Sequence, residues 1–208
     1  VTPVYQTEPD VVTREYVTGD AMKYIHWKAS AKEQKLRTRK LVGERKQEIL
    51  MVYDTKRYNK QEKVYIPLEN QILETILALG YHFAEKNINY SILWEQAGLQ
   101  KYEINGISQI DHWYQETARV VFEEDQDINV LMQRIIQERL HLNAQTIILV
   151  AHEVKESLMN LLQQLSLEGH TVVLYLITNK DVEEYIRRSN SRLKVVVLPI
   201  EGDLEELL

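Results

Sequence analysis

The residues best placed to do chemistry stand at the ends of short apolar runs. ILMVYDT (49–55) carries Asp54 and Thr55 and runs into Lys56 and Tyr58, and SILWE (91–95) ends in Trp94 and Glu95. His152 and Glu153 follow IILVA (147–151), while Thr178 and Asn179 close VVLYLIT (172–178). Runs of this kind are strands covered on both faces. In an open α/β sheet, ligands bind beyond the carboxyl ends of such strands, near the point where strand order reverses. The stretch DTKRYNKQEK after the first run holds no glycine, so it is neither a dinucleotide fingerprint nor a phosphate loop.

Other chemistries find less support. His26, between Ile25 and Trp27, reads as a packed or turn histidine, and His82 as an edge position on an apolar helix. His112 and His141 have no partners at metal spacing, and neither H-E-x-x-H nor G-x-S-x-G occurs. With no cysteine there is no zinc-thiolate site, thiol nucleophile or disulfide.

A second stretch, 14–55, is basic and turn-rich until it runs into the first apolar strand. Gly19-Asp20 signals a turn, and Lys35, Arg37, Arg39, Lys40, Arg45 and Lys46 crowd into twelve residues. The formal charge of -6 divides into +3 for residues 1–48 and -9 for 49–208. An acidic body argues against a nucleic-acid interface, which needs a broad basic face. No apolar run reaches the roughly 20 residues of a membrane helix, and no signal peptide opens the chain. The start at Val1 leads us to expect a soluble piece of a longer protein.

The elements that must position these residues follow from periodicity. Residues 1–47 read as an extended, turn-rich arm packed on the main domain, with a helical turn around Met22 to Trp27 and an edge strand or hairpin arm over 36–46. Residues 48–208 alternate strand and helix. Pro67 is expected in the first turn of a helix carrying Leu68, Ile72, Ile76 and Phe83. A short edge strand is expected near 101–104, and Ser108 with Asp111 has capping-box spacing. Asp127 is expected to cap the following helix, Gly169 to close the next at C′, Thr178 or Asp181 to cap another, and Leu204, Leu207 and Leu208 to form a last turn. The expected fold is α/β, a mostly parallel, Rossmann-like sheet with helices on both faces.

R-E-Y-x-x-G-D, a basic residue, Ile, Trp, S-A, another basic residue, and then an apolar strand ending in D-T resemble the bacterial family known as domain of unknown function 58. The matching residues are Arg14, Glu15, Tyr16, Gly19, Asp20, Lys23, Ile25, Trp27, Ser30, Ala31, Lys32 and Asp54. Lys23 and Lys32 stand where arginine is commoner, which weakens a bidentate contact. The resemblance implies a sheet of the von Willebrand factor A type, membrane helices upstream of Val1 on a protein facing the cytoplasm, and a MoxR-type AAA+ ATPase as neighbour and partner. No nucleic-acid partner is expected of the acidic body.

In von Willebrand factor A domains the strand ends in D-x-S-x-S and the site holds magnesium, a hard cation preferring oxygen ligands. Here Asp54, Lys56 and Tyr58 occupy those positions, with Thr55 between them. A lysine about 4 Å from a divalent ion costs several kcal/mol even at an effective dielectric near 20. The stretch is therefore expected to be a degenerate ion site in which Lys56 supplies the positive charge, or in which Asp54 caps a loop amide. No cofactor is expected, magnesium being the one ion such a remnant would admit. The segment around Trp27 is expected to be either a clamp tying the arm to the domain or a docking surface. The function expected is that of a non-enzymatic adaptor or assembly domain. The alternative is a metal-dependent ligand-binding or hydrolytic domain using Asp54 with His152 or Glu153.

Overall fold

The computed structural model describes residues 13–16, 25–39 and 48–201. The chain divides into two units, residues 1–45 and 46–208.

In the first unit, β1 (Thr13–Glu15) pairs antiparallel with β2 (Arg37–Arg39), Arg14 opposite Thr38. Between them lies α1 (Trp27–Glu33). His26 caps this helix, its Nδ1 accepting from the Ala29 amide at 3.1 Å. Residues 22–24 of the helical turn expected over 22–27 lie outside the described residues, and α1 begins at Trp27, where that turn should end. Gln34, at φ +51°, stops it. Ser30 ties the helix to β2: its buried hydroxyl donates to the His26 carbonyl at 3.0 Å and accepts from the Arg37 amide at 2.8 Å.

The second unit is one six-stranded sheet. Its strands are β3 (Glu48–Tyr53), β4 (Tyr90–Glu95), β5 (Leu99–Ile104), β6 (Ala144–Ala151), β7 (Thr171–Ile177) and β8 (Leu193–Leu198). They lie in the order β5-β4-β3-β6-β7-β8, all parallel except β5, which runs antiparallel to β4 at the edge. Counted within the sheet this is 3-2-1-4-5-6, with the reversal of order between β3 and β6. The four apolar runs at 49–55, 91–95, 147–151 and 172–178 and the edge strand are where periodicity placed them.

Helices cover both faces. On one, α2 (Glu62–Glu85) and α3 (Ile107–Thr117) bury Ile72, Ile76, Ile110 and Trp113 against Met51, Ile92 and Ile148. On the other, α4 (Ile128–Gln137) and α5 (Glu156–Leu167) bury Met132, Ile135, Leu158 and Leu162 against Leu50, Leu149 and Leu174. The short α6 (Glu183–Arg187) follows β7. Alternation of the two core faces along β3 explains why its sequence is apolar without interruption.

Local signals fared unevenly. Helix α2 begins five residues before Pro67, so the proline lies inside it. The missing N–H leaves a carbonyl near the exposed Lys63, where water can satisfy it. Ser108 does not cap α3; Gly106 does, while the Gln109 side chain accepts from the Asn105 amide. Asp127 caps α4 through the Asn129 amide at 2.9 Å. Gly169, at φ +107°, ends α5 with bonds from its own N–H to Ser166 and from His170 to Leu165, a Schellman turn. Asp181 accepts from the first amide of α6, and Thr178 from Lys180. Leu204, Leu207 and Leu208 lie outside the described residues.

Candidate functional site

The carboxyl ends of β3 and β6 meet at the reversal of strand order, and Asp54 stands there with 1% of its surface exposed. The loop from β3 is pinned on both sides. Asp54 N–H donates to the Val150 carbonyl at 2.9 Å, Glu123 N–H to Thr55 at 3.1 Å, and Arg57 N–H to Glu123 at 2.9 Å. The segment before α4 therefore runs as a short parallel bridge, Lys56 beside Glu123, across the end of the sheet.

Both carboxylate oxygens of Asp54 are engaged. Oδ1 accepts from the Lys56 amide at 3.0 Å, and Oδ2 accepts from the Tyr58 hydroxyl at 2.5 Å. Burial raises the carboxyl pKa to about 6, more than the Tyr58 and Lys56 hydrogen bonds and the nearby Lys56 charge lower it. Burial, joined by the Asp54 charge, also pushes the Tyr58 phenol upward, so it stays a neutral donor. The other edge of this ring meets His152 in a T-shaped contact, centroids 4.9 Å apart, and His152 Nδ1–H donates to the Ile177 carbonyl at 2.6 Å.

Lys56 acts on Asp54 through its charge and also through its backbone. Its ammonium lies over the Tyr58 ring, 5.4 Å from the centroid, and what it places on Asp54 directly is its backbone N–H. The loop-amide reading of Asp54 is thus present in the structure, together with a phenol contact that sequence reasoning missed. The signal for it in the sequence is a tyrosine four residues on from the aspartate. Thr55, also buried, turns its hydroxyl onto the Glu95 carbonyl at 2.7 Å.

A magnesium ion does not fit this arrangement. Such an ion needs carboxylate and hydroxyl oxygens facing a common point, whereas both Asp54 oxygens and the Thr55 hydroxyl are committed elsewhere. Of the other strand-end candidates, His152, Glu153 and Thr178 line a separate cavity of about 340 Å³, and the rest are engaged locally. Trp94 stacks on Tyr53 at 5.7 Å, Glu153 pairs with Lys180 at 3.4 Å, and Asn179 accepts from the Ile200 amide at 3.0 Å.

Beside Asp54 lies a cavity of about 330 Å³ lined by Glu95, Glu123, Asp125, Asp127 and Arg134. Burial opposes the charge of Asp127, but the Lys155 ammonium at 2.6 Å and the Asn129 amides outweigh it and hold its carboxyl below the usual range.

Of the motif residues in the first unit, Gly19, Asp20 and Lys23 lie outside the described residues, and Arg14 and Glu15 are described as backbone in β1. Ile25 is buried and Lys32 exposed in the last turn of α1. Trp27 is 63% exposed. Its place at the first helical position, directly after the His26 cap, turns it outward.

The match to known sequences now has a structural setting. Residues 12–101 match the family described as protein of unknown function DUF58. The DUF58 stretch takes in the motif, β3 with Asp54 to Tyr58, α2 and β4, and ends within β5. No curated protein matches the chain significantly.

Among solved structures, proximal thread matrix protein 1 from the mussel byssus aligns with a TM-score of 0.51 at 10% identity, over 73% of this chain and 43% of that one. A second structure of it, with a zinc-occupied MIDAS motif, aligns with a TM-score of 0.52 at 10% identity, over 74% and 44%. A von Willebrand factor type A structure from Catenulispora acidiphila aligns at 0.46 and 11% identity, over 76% and 39%. The chain spans less than half the length of the mussel structures and shares with them a fold.

Proposed function

We propose that the unit spanning 46–208 is a non-enzymatic protein-interaction domain, an adaptor or assembly module. The observation that carries this reading is the closure of Asp54. In the mussel protein the MIDAS motif holds zinc. Here the Tyr58 hydroxyl sits on Asp54 Oδ2, where an ion would need a free oxygen. A domain that keeps the sheet and fills its ion position with its own side chain recognises partners through surface rather than through a metal.

The surface available for this lies beside the closed site. The acidic cavity of about 330 Å³ is bordered by Val130, an exposed valine on α4, and fits a partner segment with basic and small apolar side chains. The reading extends to a MoxR-type AAA+ ATPase as the partner and to the cytoplasmic face of a membrane as the location. Among the described residues, no helix is long and apolar enough to cross a membrane.

The test is capture of a MoxR-type ATPase by the immobilised 208-residue chain in the apo, ADP and ATP states. Val130→Asp alters the cavity rim without touching the core. Nucleotide-dependent capture that Val130→Asp reduces at least tenfold supports the proposal. Capture in no state, or hydrolytic activity lost in Asp54→Asn, overturns it.

A further inference from the structure

A second group of potential ligands lies at the opposite, amino-terminal end of the sheet. His141 sits in the turn between α4 and β6, Glu168 is the C-cap of α5 just before Gly169, and His170 directly precedes β7. One ligand atom from each lies within 4.8 Å of the others. Sequence spacing left His141 without partners because the other two are far along the chain. The Schellman turn at Gly169 and the pairing of β6 with β7 bring them together.

Four features distinguish this group from a chance cluster. His170 Nδ1–H donates to the Ala144 carbonyl at 2.7 Å, and since a carbonyl can only accept, the lone pair lies on Nε2. This is the backbone contact that orients a metal-binding imidazole. His141 is 4% exposed, yet its Nδ1 has no hydrogen-bond partner, and a buried nitrogen left so carries a desolvation penalty. Glu168 Oε1 accepts from Gln164 at 2.8 Å, which steers the carboxylate. The two rings meet at 64° with centroids 5.5 Å apart, compact enough for convergence.

We infer that His141, Glu168 and His170 form a binding site for a borderline divalent metal ion, zinc above all, with water as the fourth ligand. Two imidazoles and one carboxylate select zinc-like ions over magnesium or calcium, which prefer oxygen. Tetrahedral bonds of about 2.0–2.1 Å place ligand atoms roughly 3.4 Å apart. The exposed Glu168 side chain therefore supplies most of the adjustment, and the buried His141 little. The site is independent of Asp54, from which the whole length of the sheet separates it.

Calorimetric titration of the 208-residue chain with zinc chloride, paired with thermal unfolding, tests this. The expectation is one ion per chain, a Kd of about 1 μM or tighter, and a Tm that rises with zinc. Glu168→Gln, at an exposed position, is expected to fold normally and weaken binding at least about tenfold, and His170→Gln about a hundredfold. Asp54→Asn is expected to leave zinc affinity unchanged, and magnesium to produce no heat. Absence of binding at 100 μM zinc, or stoichiometric binding that Glu168→Gln leaves unaltered, overturns the inference.

Discussion

The two ends of the sheet differ in how their polar atoms are satisfied. At the carboxyl end, where α/β folds usually bind ligands, Asp54 is buried and both of its oxygens already hold protein donors. At the amino end, where no such expectation exists, a buried imidazole nitrogen lacks a partner beside a carboxylate and a second imidazole. Topology says where a site usually lies, whereas hydrogen-bond satisfaction says which positions have capacity left to bind. In this molecule the two criteria point to opposite ends.

The largest effect that sharpens the comparison is the pH dependence of Asp54. Its folded pKa of about 6 lies above the ordinary 3.8, so the folded state favours the protonated form. That contribution to stability is fully present below pH about 4 and is lost as pH rises through about 6. Asp54→Asn mimics the neutral acid. Its stability relative to wild type is expected to increase by up to about 3 kcal/mol between pH 4 and pH 8. Denaturant unfolding at both pH values measures this, and parallel profiles would mean that Asp54 is not desolvated as described.

A smaller effect is expected from Tyr58→Phe, which removes the donor to Oδ2. At pH 8, a lost hydrogen bond to a charged group costs about 1.5–3 kcal/mol. Equilibrium unfolding of this variant checks it, and a cost below about 0.5 kcal/mol would place the phenol outside the Asp54 site. The helix contact at Gly80 separates the fold from the sites. A Cβ there meets Ile110 Cδ1 and the Tyr90 hydroxyl, each at 2.9 Å, so Gly80→Ala is expected to destabilise by about 1–3 kcal/mol without altering metal binding. The smallest effect is that of Trp27→Ala, expected to shift stability by no more than about 0.5 kcal/mol, since the ring is exposed. A loss of about 3–5 kcal/mol would show it to be an anchor.

How far the sequence could be read depended on the range of each interaction. The strands were legible because burial on both faces leaves an unbroken apolar run, as in ILMVY of β3 and IILVA of β6. Asp127 and Gly169 were legible because a cap is settled within three residues. Pro67 misled because its helix has a polar, exposed first turn that carries no apolar stripe. Ser108 misled because the cap fell on Gly106, with Gln109 reaching back to Asn105.

At the sites, Asp54 was found from its position at a strand end, but its neutral partner was not, since a sequence does not show where a phenol points. His141 and His170, 29 positions apart in the numbering, become neighbours only once β6 and β7 pair. Ser30 was noted as part of a motif. Its physical role, holding α1 to β2 through a buried hydroxyl, emerged only with the backbone in place.

The most direct test of the closed carboxyl end is calorimetric titration of the 208-residue chain with magnesium and with manganese at pH 8, where Asp54 is ionised and most able to accept an ion. The account predicts no binding up to about millimolar ion. Binding at about micromolar Kd that Asp54→Ala abolishes would contradict it.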